Sequence, residues 1–295
     1  MVRSLYTWKG KTRTNPGHRT LPLVESIDRP YLEYMIDKYC DNGDFVVLDE
    51  EYIEPWYAPQ GSQEMVDLYR AKMQLLDWAK TYGHSRRMKF SNFRSGPLQA
   101  DAWMGYYGET FDSPGPGSPV WMDRWRDKGI ERAAFNYHRW CEAQDFYSPC
   151  LYMHDASVEW WRMMLASCRY CLYDAGAWTL PRKPVIAMVS PQVWGPAPLP
   201  AEYPPAPADG TPLGLDVLAR MIADLYDTRV NGVPVFDKVY WYIGASNHSW
   251  GDPDQGQGWW QLHPGTLPPQ IQLIKDKIRP VPNRKHAHGA AMLRR

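Results

Sequence analysis

No sign of charge dominates this chain of 295 residues: Lys plus Arg and Asp plus Glu each total 33, so the formal net charge is zero. Without an excess of either sign, no global field steers nucleic acid or an anionic membrane toward the surface. The chain also lacks an apolar run of about 18 residues, the length a membrane-spanning helix requires. Its first residues lack the apolar segment of a signal peptide. These absences set the expectation of a soluble protein with no leader, no membrane span and no nucleic acid partner. It is expected to be made in the cytoplasm, with a virion as one alternative setting.

Cysteine is scarce as well. Cys40, Cys141, Cys150, Cys168 and Cys171 make an odd set that cannot pair completely within one chain, so reduced thiols are expected. Cys168 and Cys171 have CxxC spacing, but no second Cys or His pair stands at zinc-site spacing. No glycine-rich phosphate loop of the dinucleotide or P-loop type occurs. The expectation is therefore no metal and no cofactor.

Aromatic residues are abundant, and unevenly so: 15 Trp and 19 Tyr stand against 7 Phe. Rings with a polar edge suit sugars, which offer apolar faces to stack on and hydroxyls to bond. Part of this set must build the core, Trp160 and Trp161 among it.

Short β-rich runs alternate with helical patterns along the chain. Strands are expected at residues 4–8, 45–49, 87–93, 148–154, 184–190 and 238–243. Helices are expected at 30–40, 62–82, 120–143, 157–173 and 213–226, with a last one inside 261–278. Ser62 is a natural N-cap for the second helix, and Gly83 is expected to end it. Several strands are apolar throughout, as in parallel sheets covered on both faces. The expected fold class is thus α/β, a (β/α) TIM-like barrel, irregular or with fewer than eight clear strands. About 250 residues suffice for such a barrel, so residues 1–278 are read as one domain. The eight prolines between Pro191 and Pro212 mark a surface excursion. Residues 279–295, with four Arg, one Lys and two His, are read as a flexible basic tail.

The second expected strand ends abruptly in acids: Phe45-Val46-Val47-Leu48-Asp49-Glu50-Glu51-Tyr52, then Ile53-Glu54-Pro55-Trp56. Side chains alternate along a strand, so Asp49 and Glu51 share a face with Val47, and Glu50 takes the other. Two carboxylates about 7 Å apart at the C-terminal end of a strand are raw material for acid/base chemistry. The competing reading is a solvated strand end whose acids cap a helix or pair with Lys and Arg. In a barrel, groups at the C-terminal strand ends form one rim. That rim gathers Asp49, Glu50, Glu51, Tyr106, Tyr107, His154, Asp155, Gln192, Trp194, Trp241, Tyr242 and Asn247, Glu50 being set apart from the other two acids by the alternation. His154 is read as an ordinary strand-end histidine.

Three motifs in order carry a family resemblance. The run Val46 to Trp56 resembles the strand of the hyaluronidase family of glycoside hydrolases, where an Asp-x-Glu pair precedes an aromatic and then a Pro beside another aromatic. Trp103-Met104-Gly105-Tyr106-Tyr107-Gly108 is similar to that family's Trp-Gly-aromatic-Tyr loop. Tyr147-Ser148-Pro149-Cys150-Leu151-Tyr152-Met153-His154 is similar to its Tyr-Pro-Ser-Ile-Tyr-type strand. Weaker similarity at 184–190 and 239–244 extends the likeness over residues 5–245.

The resemblance implies a (β/α) barrel that cleaves an N-acetylhexosamine polymer with retention, the substrate's own 2-acetamido group acting as nucleophile. Glu51 would be the general acid/base, Asp49 would orient the acetamido group, and Tyr107 would bond to it. Tyr106, Trp56, Asp155, Gln192, Trp194, Trp241 and Tyr242 would line the glycan, with Trp241 as a wall. A substrate nucleophile explains how two acids on one strand can suffice. Glu50 replaces the family's aromatic between the acids, Glu54 stands where Arg is common, and the structural cysteines have no counterparts. A neutral or differently charged amino-sugar polymer therefore stands beside hyaluronan as the substrate. The alternatives are a lysozyme-like muramidase, and a non-catalytic carbohydrate-binding or structural subunit incorporated into a larger assembly such as a virion.

Overall fold

The computed structural model describes residues 2–6, 29–49, 62–93, 139–153, 156–169, 182–193, 211–241 and 268–277. In chain order these hold strand β1 (Val2–Tyr6), helix α1 (Arg29–Tyr39), strand β2 (Phe45–Asp49), helix α2 (Gln63–Gly83) and strand β3 (Lys89–Asn92). Helix α3 (Val158–Arg169), strand β4 (Ile186–Val189) and helix α4 (Leu215–Asp227) follow. The short strands β5 (Arg229–Val230) and β6 (Val233–Pro234), strand β7 (Lys238–Trp241) and helix α5 (Pro268–Lys277) complete the set.

Strand β2 lies between β1 and β3, parallel to both. Strand β4 pairs in parallel with β7. Between the two groups runs the 147–153 segment, joined to the β4 side by isolated parallel bridges, Tyr147 to Val185, Cys150 to Met188 and Met153 to Val193. On its other side, Asp145 N donates to Phe90 O at 2.9 Å, and Phe90 N donates to Asp145 Oδ2 at 3.0 Å. Six parallel segments thus follow one another in space as they do in sequence, the winding of a (β/α) barrel. Among the described residues the architecture is α/β with a parallel arc, and no pairing between β7 and β1 closes it.

The junction of β3 with the 147–153 segment relies on buried side chains. Asn92 Oδ1 accepts from Trp140 Nε1 at 2.8 Å and from Gln144 Nε2 at 3.1 Å, and Asn92 N donates to Gln144 Oε1 at 2.7 Å. Ser148 Oγ donates to Asn92 O at 2.7 Å. These bonds replace a regular ladder, which explains why the segment expected as a strand at 148–154 forms only bridges. Two lysines hold the helical turn at 139–143 just before it. Lys80 Nζ donates to Ala143 O at 2.9 Å and pairs with Asp145 at 2.8 Å. Lys183 Nζ donates to the carbonyls of Cys141, Glu142 and Gln144, placing a cation at the carbonyl end of the turn.

Alternation along the strands divides the core into layers. Leu5, Val46, Leu48 and Phe90 pack outward against Leu32 and Ile36 of α1 and Leu75, Leu76 and Ala79 of α2. Tyr147, Leu151, Met153, Val185, Ala187, Val189 and Val193 pack outward against Trp161 and Met164 of α3, and against Leu218, Met221 and Leu225 of α4. The inner layer comes from strands and their ends: Val47, Phe93, Phe146, Cys150, Tyr152, Ile186 and Met188, with Val2, Phe45 and Tyr240 packed on it. Residues of β1 and β7 meet in this inner layer, so the arc curves around it.

Helix α2 runs through Gly83 into a 3-10 turn at His84–Arg86, and Arg87 takes the left-handed conformation (φ 56°) that ends it. Gly83 serves a different purpose: a Cβ there would lie 2.5 Å from Phe90 Cε2, so glycine lets the helix end approach β3. The β5–β6 hairpin turns at Asn231 and Gly232, both at positive φ, as a two-residue hairpin loop requires. Cys40, Cys141, Cys150 and Cys168 are buried thiols, none of them in a disulfide among the described residues. Among the described residues no helix is long and apolar enough to cross a membrane.

Candidate functional site

The C-terminal ends of the parallel strands carry a set of polar side chains on the inner face. Asp49 is the last residue of β2 and shares a face with Phe45 and Val47. Only 4% of it is exposed. Its backbone sits between two partners: Tyr6 is opposite it on β1, and Phe93 N donates to Leu48 O at 2.8 Å on the β3 side. The carboxylate is therefore held by the most central strand of the first sheet.

Ser91 lies opposite Val47 and so also faces inward. Its hydroxyl is 3.1 Å from that of Ser148, and both serines are fully buried. Above this pair, Phe93 and Tyr152 pack with ring centroids 6.0 Å apart at 46°. On β4 and its extension the alternation puts Ser190 and Gln192 on the same side as Ile186 and Met188, because Val189 and Val193 belong to the helix-facing layer. Both are buried, and Gln192 N donates to Ser190 Oγ at 3.3 Å.

The Pro-rich excursion leaves and returns at this edge. Val193 N donates to Thr211 O at 2.8 Å, Leu213 N donates to Pro191 O at 3.0 Å, and Gln192 bridges Pro212 in antiparallel fashion. The intervening residues 194–210 lie outside the described residues.

Of the residues expected at the rim, Asp49, Gln192 and Trp241 are described. Asp49 and Gln192 occupy the inner face. Trp241 pairs in register with Val189 and packs with Val239 against the helix-facing layer. The inner-face aromatic of β7 is Tyr240. Glu51, Trp56, Tyr106, Tyr107, Asp155, Trp194 and Tyr242 lie outside the described residues, as do His154 and Asn247.

The inner face also holds groups that the rim reading omitted, namely Ser91, Ser148, Tyr152 and Ser190. A period-two count from Phe146 to Tyr152 and from Ile186 to Gln192 finds three of them, since each shares parity with the apolar inner residues of its own segment. The site can present one buried carboxylate, neutral hydroxyl and amide groups, and aromatic surface. These are groups that bind and orient a polyhydroxylated ligand.

No family model matches the chain. No curated protein matches it either. Among solved structures the chain is similar to bee venom hyaluronidase, with 14% identity over 81% of this chain and 78% of that one and a TM-score of 0.46. It is similar, too, to bee venom hyaluronidase in complex with a hyaluronic acid tetramer, at 12% identity, 82% and 77% coverage and a TM-score of 0.44. Likenesses this distant decide neither the fold nor the activity of this chain.

Proposed function

We propose that the chain is a glycoside hydrolase that cleaves an N-acetylhexosamine-containing polysaccharide with substrate assistance. One observation carries the reading: Asp49 is a buried carboxylate on the inner face, at the C-terminal end of a central parallel strand. That is where barrel enzymes place their chemistry. In the proposal the strand's alternation carries on past Asp49, so that Glu51 shares its side one step further out.

In this mechanism Glu51 protonates the glycosidic oxygen as that bond breaks. The carbonyl oxygen of the 2-acetamido group attacks the anomeric carbon and forms a cyclic oxazolinium. Asp49 accepts the acetamido N–H and balances the charge that develops on the ring, and Tyr107 hydrogen-bonds the same group. Glu51, now a carboxylate, takes a proton from water as water opens the ring, so the anomeric configuration is retained. The inner-face hydroxyl, amide and aromatic groups hold the chain of sugars.

The reading includes a barrel over residues 1–278 and needs neither metal nor cofactor. Its test is reducing-end release from chitin, peptidoglycan, chondroitin and hyaluronan by the wild type and Glu51→Gln. The proposal predicts cleavage of at least one polymer by the wild type and loss of cleavage, with binding kept, in Glu51→Gln. Binding without cleavage by the wild type would establish a carbohydrate-binding subunit instead.

A further inference from the structure

We infer that the Gln192 carboxamide is a substrate-positioning group whose oxygen accepts a sugar hydroxyl; the inference rests on the glycan reading above and assigns one contact within it. Gln192 is 1% exposed, and its Oε1 has no hydrogen-bond partner. Its backbone N, by contrast, donates to Ser190 Oγ, and its neighbours tie the segment to the returning chain, Val193 N to Thr211 O and Pro191 O from Leu213 N, on either side of the bridge to Pro212. The chain therefore fixes this residue and still leaves its acceptor open.

Two other buried amides show what a structural role looks like. Gln270 Nε2 donates to Leu213 O at 3.0 Å, and Asn92 Oδ1 accepts from both Trp140 and Gln144. Each spends one end of its amide on the fold and leaves the other end unsatisfied. The Gln192 carboxamide makes no such bond among the described residues. Both Gln270 and Asn92 belong to the helix side, whereas Gln192 shares the inner face with Asp49, Ser190 and Tyr152.

An acceptor withheld from water and from the protein calls for a donor from a ligand. Asp49 is assigned the acetamido N–H, so the donor left for Gln192 is a hydroxyl of the same or the adjoining sugar. A site built to bond a hydroxyl also rejects ligands that lack one there, because the buried oxygen then stays unpaired.

The experiment titrates chitin and hyaluronan oligosaccharides into wild type, Gln192→Met and Gln270→Met, and measures thermal unfolding of all three. Methionine keeps the volume and removes the acceptor. The expected result is binding about tenfold weaker in Gln192→Met, with an unfolding midpoint no lower than wild type. Gln270→Met is expected to unfold earlier and bind as wild type does. Equal binding by wild type and Gln192→Met overturns this inference alone and leaves the glycosidase reading standing. A lowered midpoint in Gln192→Met, matching Gln270→Met, assigns Gln192 a structural role and also overturns it. Failure of the wild type to bind either oligosaccharide overturns the inference together with the reading on which it rests.

Discussion

Asp49 owes its position to a local pattern that needs no tertiary knowledge. Phe45, Val47 and Asp49 alternate with Val46 and Leu48, and the structure sends the two sets to different layers. Because the strand is central and parallel, the acid arrives on the inner face at the C-terminal edge. Asp49→Asn keeps the volume and removes the charge. In the proposed mechanism it reduces cleavage by about 10²- to 10³-fold, the size of one preorganised electrostatic contact. The check is a steady-state assay on whichever polymer is cleaved, beside a circular dichroism spectrum matching wild type. Near-wild-type turnover would remove Asp49 from the chemistry.

Trp241 shows where residue-level reading loses power. Lys238 to Trp241 is apolar on both faces after its first residue, so alternation cannot tell which side meets the helices. Packing decides it: Val239 and Trp241 go to the helix layer and Tyr240 to the inner layer.

Among the elements, the junction between β3 and the 147–153 segment is the one held least by backbone pairing. Asn92 joins Trp140, Gln144 and Ser148 there, all of them buried. Asn92→Leu strands the Trp140 indole N–H and takes from Gln144 Nε2 one of its two acceptors, leaving it Trp140 O, and a stranded buried group costs about 1–3 kcal/mol. A loss of about 3 kcal/mol in chemical denaturation is expected, and a loss under about 1 kcal/mol would show that the segment is held by other means.

The same junction explains what was legible at this scale. The apolar strands β2 and β4 and the amphipathic helices α1, α2 and α4 announce themselves by period, and their expected bounds lie within a few residues of those found. Residues 148–154 read as a strand because they are apolar, yet side-chain bonds there take over what a ladder does elsewhere. The β5–β6 hairpin escaped notice although Asn231-Gly232 is a strong turn pair, because its strands are two residues each. Helix α5 carries Pro268 and Pro269 in its first turn, where a helix accepts proline.

For the whole molecule, the order of the parallel segments is the main finding. Each follows its predecessor in space and in sequence, and the outer layers are helices, so the strand ends converge at one edge. Alternating strand and helix patterns made this winding readable. The closure that a barrel implies is not seen among the described residues, and it depends on pairing between distant edges that no local pattern encodes.

Global stability should also respond to alkali. Tyr147 sits in the helix-facing core, and burial, followed by the nearby Cys141 and Glu142, pushes its phenol far above the ordinary value of 10.0. The folded state then holds a proton that the unfolded state releases. Stability is therefore intact below pH 10.0 and falls as pH rises beyond it. Denaturation midpoints measured on either side of that pH should diverge in wild type and diverge less in Tyr147→Phe. An identical alkaline slope in the two proteins would assign the loss to other groups.

The claim that gives the fold a function is the acid/base role of Glu51 beside Asp49. The direct measurement is reducing-end release across the chitin, peptidoglycan, chondroitin and hyaluronan panel, with product anomers followed by proton NMR. Wild type should cleave at least one polymer with retention, and Glu51→Gln should be slower by about 10²- to 10⁴-fold while still binding it. Undiminished cleavage by Glu51→Gln, or a wild-type protein that binds a glycan and cleaves none of the panel, would contradict the account.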